Sequence, residues 1–66
     1  MNATVNGESK TLPSGTTLGA LLRTIGIAEN GIAIAVNERV VRRGAFDAHP
    51  LRDGDAVEII RAVAGG

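Results

Sequence analysis

The sequence predicts a small α+β domain in which one main helix lies on one face of a mixed sheet of four to five strands. Three observations lead there. A strong hairpin signal opens the chain, a single stretch with helical period follows, and every later apolar segment is short and strand-like.

Ala3-Thr4-Val5 and Ser9-Lys10-Thr11-Leu12 flank Asn6-Gly7. Both turn residues accept the positive φ that a type I′ turn demands, so the flanking segments are expected to pair as a hairpin. Pro13-Ser14-Gly15 then breaks the second strand. Leu18, Leu21, Leu22 and Ile25 fall at i, i+3, i+4 and i+7 and share one helical face. Thr16 or Thr17 can cap the N-terminus, and Gly26 can end the helix in a left-handed conformation. Arg23 and Thr24 make the opposite face polar, so the helix is expected to pack on one side only, against a sheet.

Ala28-Glu29-Asn30-Gly31 reads as a loop, followed by a strand from Ile32 to Val36. Large Ile32, Ile34 and Val36 alternate there with small Ala33 and Ala35. The large set should face the helix and leave a shallow alanine surface outside. Asn37-Glu38 turns the chain into a short strand, Arg39-Val40-Val41. Residues 42–50 have no clean period and are expected to be irregular, with room for a short helical turn. Phe46, the only aromatic residue, is expected to plug the core edge. Arg52-Asp53-Gly54-Asp55 forms a turn, and Ala56 to Arg61 make the final strand. First and last strands can then lie side by side in parallel, with the helix in a right-handed crossover. That order is the β-grasp, or ubiquitin-like, arrangement.

At 66 residues the chain holds one domain, expected to span 1–61, with 62–66 as a flexible Gly-Gly tail. Seven basic residues balance seven acidic ones, and neutrality gives no reason to expect a nucleic-acid or anionic-membrane partner. Without cysteine there is no disulfide, zinc thiolate or thiol nucleophile. The longest apolar run, Ile32 to Val36, is too short to span a bilayer, and Met1-Asn2-Ala3-Thr4 lacks the features of a signal peptide. A cytoplasmic location is the expectation.

The sequence finishes on Val63-Ala64-Gly65-Gly66, directly after the final strand. Two residues without Cβ can thread a channel too narrow for side chains, which would carry a terminal carboxylate deep into a partner's active site. Together with Ala35-Val36-Asn37, Val40-Val41 and Asp53-Gly54-Asp55 in that order and spacing, this ending resembles the ThiS family of bacterial sulfur carriers in thiamine biosynthesis. The resemblance covers essentially the whole chain. One departure is Arg42, where family members often have proline after the paired valines. The small subunit of molybdopterin synthase shares the fold and the Gly-Gly end, but it tends to be longer and often has prolines where Arg61-Ala62 stand here.

The resemblance implies a carrier, not an enzyme. A ThiF-like partner would use ATP and magnesium to adenylate the carboxylate of Gly66. A persulfide sulfur drawn from cysteine by a desulfurase would displace AMP and leave a thiocarboxylate, and thiazole synthase would take that sulfur into the thiazole ring of thiamine. Gly65, Ala64 and Val63 would thread the partner's site. No cofactor or metal would be bound by the chain itself. The alternatives are a molybdopterin-type carrier and a ubiquitin-like interaction domain whose tail has no chemistry.

Other residues suggest docking or plain structure. If Val57 and Ile59 face the helix, Ala56, Glu58 and Ile60 face outward. Ile60 beside the Ala33/Ala35 surface, with Glu58 next to it, could seed a patch for partner docking. Arg39, Arg42 and Arg43 cluster in sequence, as a solvated face or as steering toward an acidic partner. His49 has no evident partner for acid–base work, and Asp53 and Asp55 read as turn residues rather than metal ligands. The phosphate-binding pattern Gly-x-x-x-x-Gly-Lys does not occur.

Overall fold

The computed structural model describes residues 1–61, so the expected tail, residues 62–66, lies outside the described residues. Strands β1 (Asn2–Val5) and β2 (Glu8–Thr11) form the opening hairpin, and helix α1 (Leu18–Ile25) follows. Strands β3 (Ile32–Val36) and β4 (Arg39–Val41), a 3-10 helix (Arg43–Ala48) and β5 (Ala56–Arg61) complete the order. The five strands form one sheet in the order β2-β1-β5-β3-β4. β5 lies at its centre, parallel to β1 and antiparallel to β3.

Local chemistry accounts for each boundary. Asn6 and Gly7 sit at φ 49° and 85°, as a two-residue type I′ connection needs. Leu12 prolongs the hairpin ladder, because its N–H donates to the Met1 carbonyl at 2.8 Å. The Thr17 hydroxyl accepts from the Ala20 N–H at 3.1 Å and caps α1, while Gly26 closes it in the left-handed region at φ 77°. Thr16 instead donates its hydroxyl to the Pro13 carbonyl at 2.7 Å and tightens the loop ahead of the helix.

The core sits between α1 and one face of the sheet. Leu18, Leu21 and Leu22 are fully buried against a cluster that includes Ala3, Val5, Ile34, Val36, Val57 and Ile59. Burying each such leucine contributes about 1.5–3 kcal/mol. Ile25, fourth on the same stripe, is partly buried at its rim.

Two expectations change. The helix is covered by more than the sheet, because the 3-10 helix packs along its flank at Gly19. A Cβ there would collide with Asp47 Oδ1 and lie 2.9 Å from its Cγ, so the missing side chain is what lets the segment approach. Arg23 then reaches Asp47 Oδ1 at 3.3 Å, both side chains being exposed. Phe46 is not at the core edge but inside it, with 1% of its surface exposed. The 3-10 turn rolls it inward, where its large apolar area is worth most.

Candidate functional site

β5 leads directly into residues 62–66, so its placement governs where the tail begins. Its register against β3 pairs Ala33 with Ile60 and Ala35 with Glu58. Val57 and Ile59 are buried on the helix side, whereas Glu58 and Ile60 point outward as predicted. Ile60 is 55% exposed.

Sequence reasoning missed the second half of this surface. Val40 stands opposite Ala35 in the β3–β4 register and is 78% exposed. Val40, the two alanines and Ile60 therefore form one shallow apolar surface on the outer face, with Glu58 as its charge. The signal was available: Val41 aligns with core-facing Ile34, so period-2 alternation puts Val40 on the other side. Only the partner register makes that inference firm.

The arginine cluster is divided by the fold. Arg43 Nη1 donates to Asn30 Oδ1 at 2.9 Å. Arg39 instead shares a shallow cleft of about 590 Å³ with Arg52, His49, Asn37 and the apolar Val36, Val41 and Pro50. Asp55 lines the same cleft, but both of its carboxylate oxygens already accept hydrogen bonds. Oδ2 accepts from the Arg52 N–H at 2.8 Å and Oδ1 from Asn37 Nδ2 at 2.9 Å. Asp53 Oδ1 accepts from the Asn2 N–H at 2.6 Å. Asp55 thus serves its own turn, as the sequence suggested, whereas Asp53 ties the turn to the start of β1. Among the described residues no group of three or more His, Asp or Glu side chains is arranged to hold a metal ion. No helix among them is long and apolar enough to cross a membrane.

Val63, Ala64, Gly65 and Gly66 lie outside the described residues. What the described residues supply is a centrally held strand running toward them, with an outward apolar surface beside it.

Comparison with known proteins adds four findings. The ThiS family model matches residues 3–66. The chain is 37% identical over 62 residues to the sulfur carrier protein ThiS of Thermus thermophilus, covering 94% of this chain and 95% of that one. It is also 36% identical over all 66 residues to a thiazole synthase of Magnetococcus marinus, of which it spans 20% of the length. Among solved structures, the crystal structure of thiamine biosynthesis protein ThiS from Geobacter metallireducens superposes with a TM-score of 0.85 at 36% identity, both chains being fully covered. A family match running from the first strand through both final glycines, on a sheet and helix that superpose on a solved member, means that this chain belongs to the ThiS family.

Proposed function

We propose that this chain is a sulfur carrier of thiamine biosynthesis that presents its sulfur as a thiocarboxylate on Gly66. The observation that carries the reading is the extent of the family match, which runs to residue 66 and so includes Gly65-Gly66. The relative named sulfur carrier protein ThiS is matched over 95% of its own length, which supports carriage as the role of the whole domain. Thiazole synthase as recipient is supported by relatives of that name, in Magnetococcus marinus and Paramagnetospirillum magneticum, that contain a stretch similar to this entire chain.

The chemistry explains why a carrier needs partners. A terminal carboxyl has a pKa of roughly 3.3–3.7 and is ionised at neutral pH. Its resonance-protected carbon resists nucleophiles until one oxygen becomes a leaving group. An adenylating enzyme of the ThiF type, using MgATP, forms the Gly66 acyl adenylate and releases pyrophosphate. A persulfide, supplied through a cysteine desulfurase, attacks the acyl carbon and expels AMP. A thiol opens the resulting acyl disulfide at its S–S bond, which frees the thiocarboxylate. The chain contributes the acyl group and a body to be recognised, and its partners contribute the catalysis.

Geometry supports this division. Residues 62–66, if fully extended, reach about 17 Å at ~3.3–3.6 Å per residue, enough to enter a buried site while the globule stays outside. Docking is assigned to the outer surface of Ile60, Glu58, Ala33, Ala35 and Val40. It adjoins the strand that delivers the tail, and exposed apolar area of this kind marks interaction sites.

Intact-mass measurement after incubation with the adenylating enzyme, MgATP and a persulfide source tests the proposal. A carrier gains the mass difference between sulfur and oxygen. A chain that stays unchanged while a ThiS control is converted is an interaction domain instead.

A further inference from the structure

The β1–β5 ladder contains a substitution that assigns Asn6 a second task besides making the turn. The two strands pair in parallel at Thr4↔Ala56 and Val5↔Val57. Their hydrogen bonds follow the regular parallel sequence, Thr4 N–H to the Asp55 carbonyl at 2.9 Å and Asn6 N–H to the Val57 carbonyl at 2.9 Å. In such a ladder the next two bonds would join the Ile59 N–H to the Asn6 carbonyl, and the Ile59 carbonyl to the N–H of residue 8. Neither can form as main chain, because β1 ends at Val5 and turns through Asn6-Gly7 at positive φ. The Asn6 side chain takes both places. Its Oδ1 accepts from the Ile59 N–H at 2.8 Å, and its Nδ2 donates to the Ile59 carbonyl at 3.4 Å, across 53 residues of sequence.

The opposite end of β5 is held in a related way. The Asn37 N–H donates to the Ala56 carbonyl at 2.8 Å, and Asn37 Oδ1 accepts from the Ala56 N–H at 2.9 Å. Two turn asparagines, each at positive φ, therefore clamp the central strand, one at its start and one near its exit. Asn6 is the one near the tail. Beyond Val57 the β1 side offers β5 no strand partner, so the Asn6 amide holds that edge of the last segment before residue 62.

The geometry points to Asn6 as a positioning residue for the carrier reaction: by standing in for a missing strand at Ile59, it fixes the course of β5 up to its end at Arg61. This rests on the carrier reading given above. Among the described residues, the Asn6 side chain bonds Ile59 and no residue of the outer docking surface. It acts through the main chain of Ile59, and positioning of this kind can change rate without changing affinity.

Asn6→Gly tests the idea, because glycine keeps the positive φ while removing both side-chain bonds. Amide hydrogen exchange at Ile59 should accelerate about fivefold or more, the factor carried by one net hydrogen bond. Exchange at Leu21, whose N–H is held by the Thr17 carbonyl inside α1, should keep its wild-type ratio to global unfolding. Asn6→Asp keeps an acceptor for the Ile59 N–H and should restore most of that protection. With the adenylating enzyme, kcat for Asn6→Gly should fall about three- to tenfold with KM unchanged, an effect of misplacement.

Equal acceleration at Ile59 and Leu21 would mean general destabilisation and would overturn the proposal. So would failure of Asn6→Asp to restore protection. An unchanged kcat in Asn6→Gly, with wild-type chain adenylated normally, overturns the positioning role alone. Failure of the wild-type chain itself to be adenylated removes the carrier reading, and this role with it.

Discussion

The β3–β4 turn carries a stored strain that one substitution should release. Asn37 and Glu38 sit at φ 52° and 69°, the two left-handed positions of a two-residue hairpin connection. Asparagine tolerates that region, but glutamate does not gain from it. A non-glycine residue there costs about 1–2 kcal/mol. Glu38 is exposed, and its carboxylate forms no ion pair among the described residues. Glu38→Gly removes the left-handed penalty, while the freer glycine loses about 0.5–1 kcal/mol of unfolded-state entropy. The net expectation is a stabilisation of about 0.5–1 kcal/mol. For a domain of this size, at about 4–8 °C per kcal/mol, Tm should rise about 2–8 °C. Thermal and urea unfolding followed by circular dichroism would measure it, with Glu38→Ala as a control that keeps the strain and should stay near wild type. A Glu38→Gly variant that melts below wild type would refute the reasoning, since the turn would then owe its stability to the glutamate side chain.

Three further outcomes follow from the packing and the proposed chemistry. Phe46→Ala should cost about 3–5 kcal/mol, comparable with the total stability of about 3–5 kcal/mol expected for so small a core. It should therefore be largely unfolded by circular dichroism at 25 °C, whereas Phe46→Leu should remain folded. Ile60→Glu and Val40→Glu alter exposed positions and should leave Tm within a few degrees of wild type, yet each should weaken binding to the adenylating enzyme about tenfold or more by calorimetry; undiminished binding would remove the outer face from the interface. Gly65→Val should keep the fold and block adenylation, because a branched side chain would enter the narrowest part of the partner's channel; adenylation at the normal rate would show that no such constriction exists.

Much of the fold was legible because its signals are local. Asn6-Gly7, the leucine stripe of α1, the Thr17 and Gly26 caps, and the alternation in β3 each encode their element within a few residues. The parallel β1–β5 pairing followed from topology rules rather than from any residue pair. What stayed hidden depends on long-range register. Val40 joins Ile60 on one surface only once β4, β3 and β5 are aligned. The approach of Asp47 to Gly19 and the inward roll of Phe46 depend on how the 3-10 helix meets α1. Asn6 was readable as a turn residue but not as the holder of Ile59, because its side-chain bonds reach a strand 53 residues away. In sequence Arg39 reads as one of three clustered arginines, whereas folding places it beside Arg52 and His49.

The reactive group can be located directly. After sulfuration by the adenylating enzyme, MgATP and a persulfide source, fragmentation mass spectrometry of the C-terminal peptide should place the sulfur-for-oxygen exchange on Gly66, and a chain with one alanine appended after Gly66 should acquire none. Sulfur found on any other residue, or on Gly66 of the intact extended chain, would contradict the account.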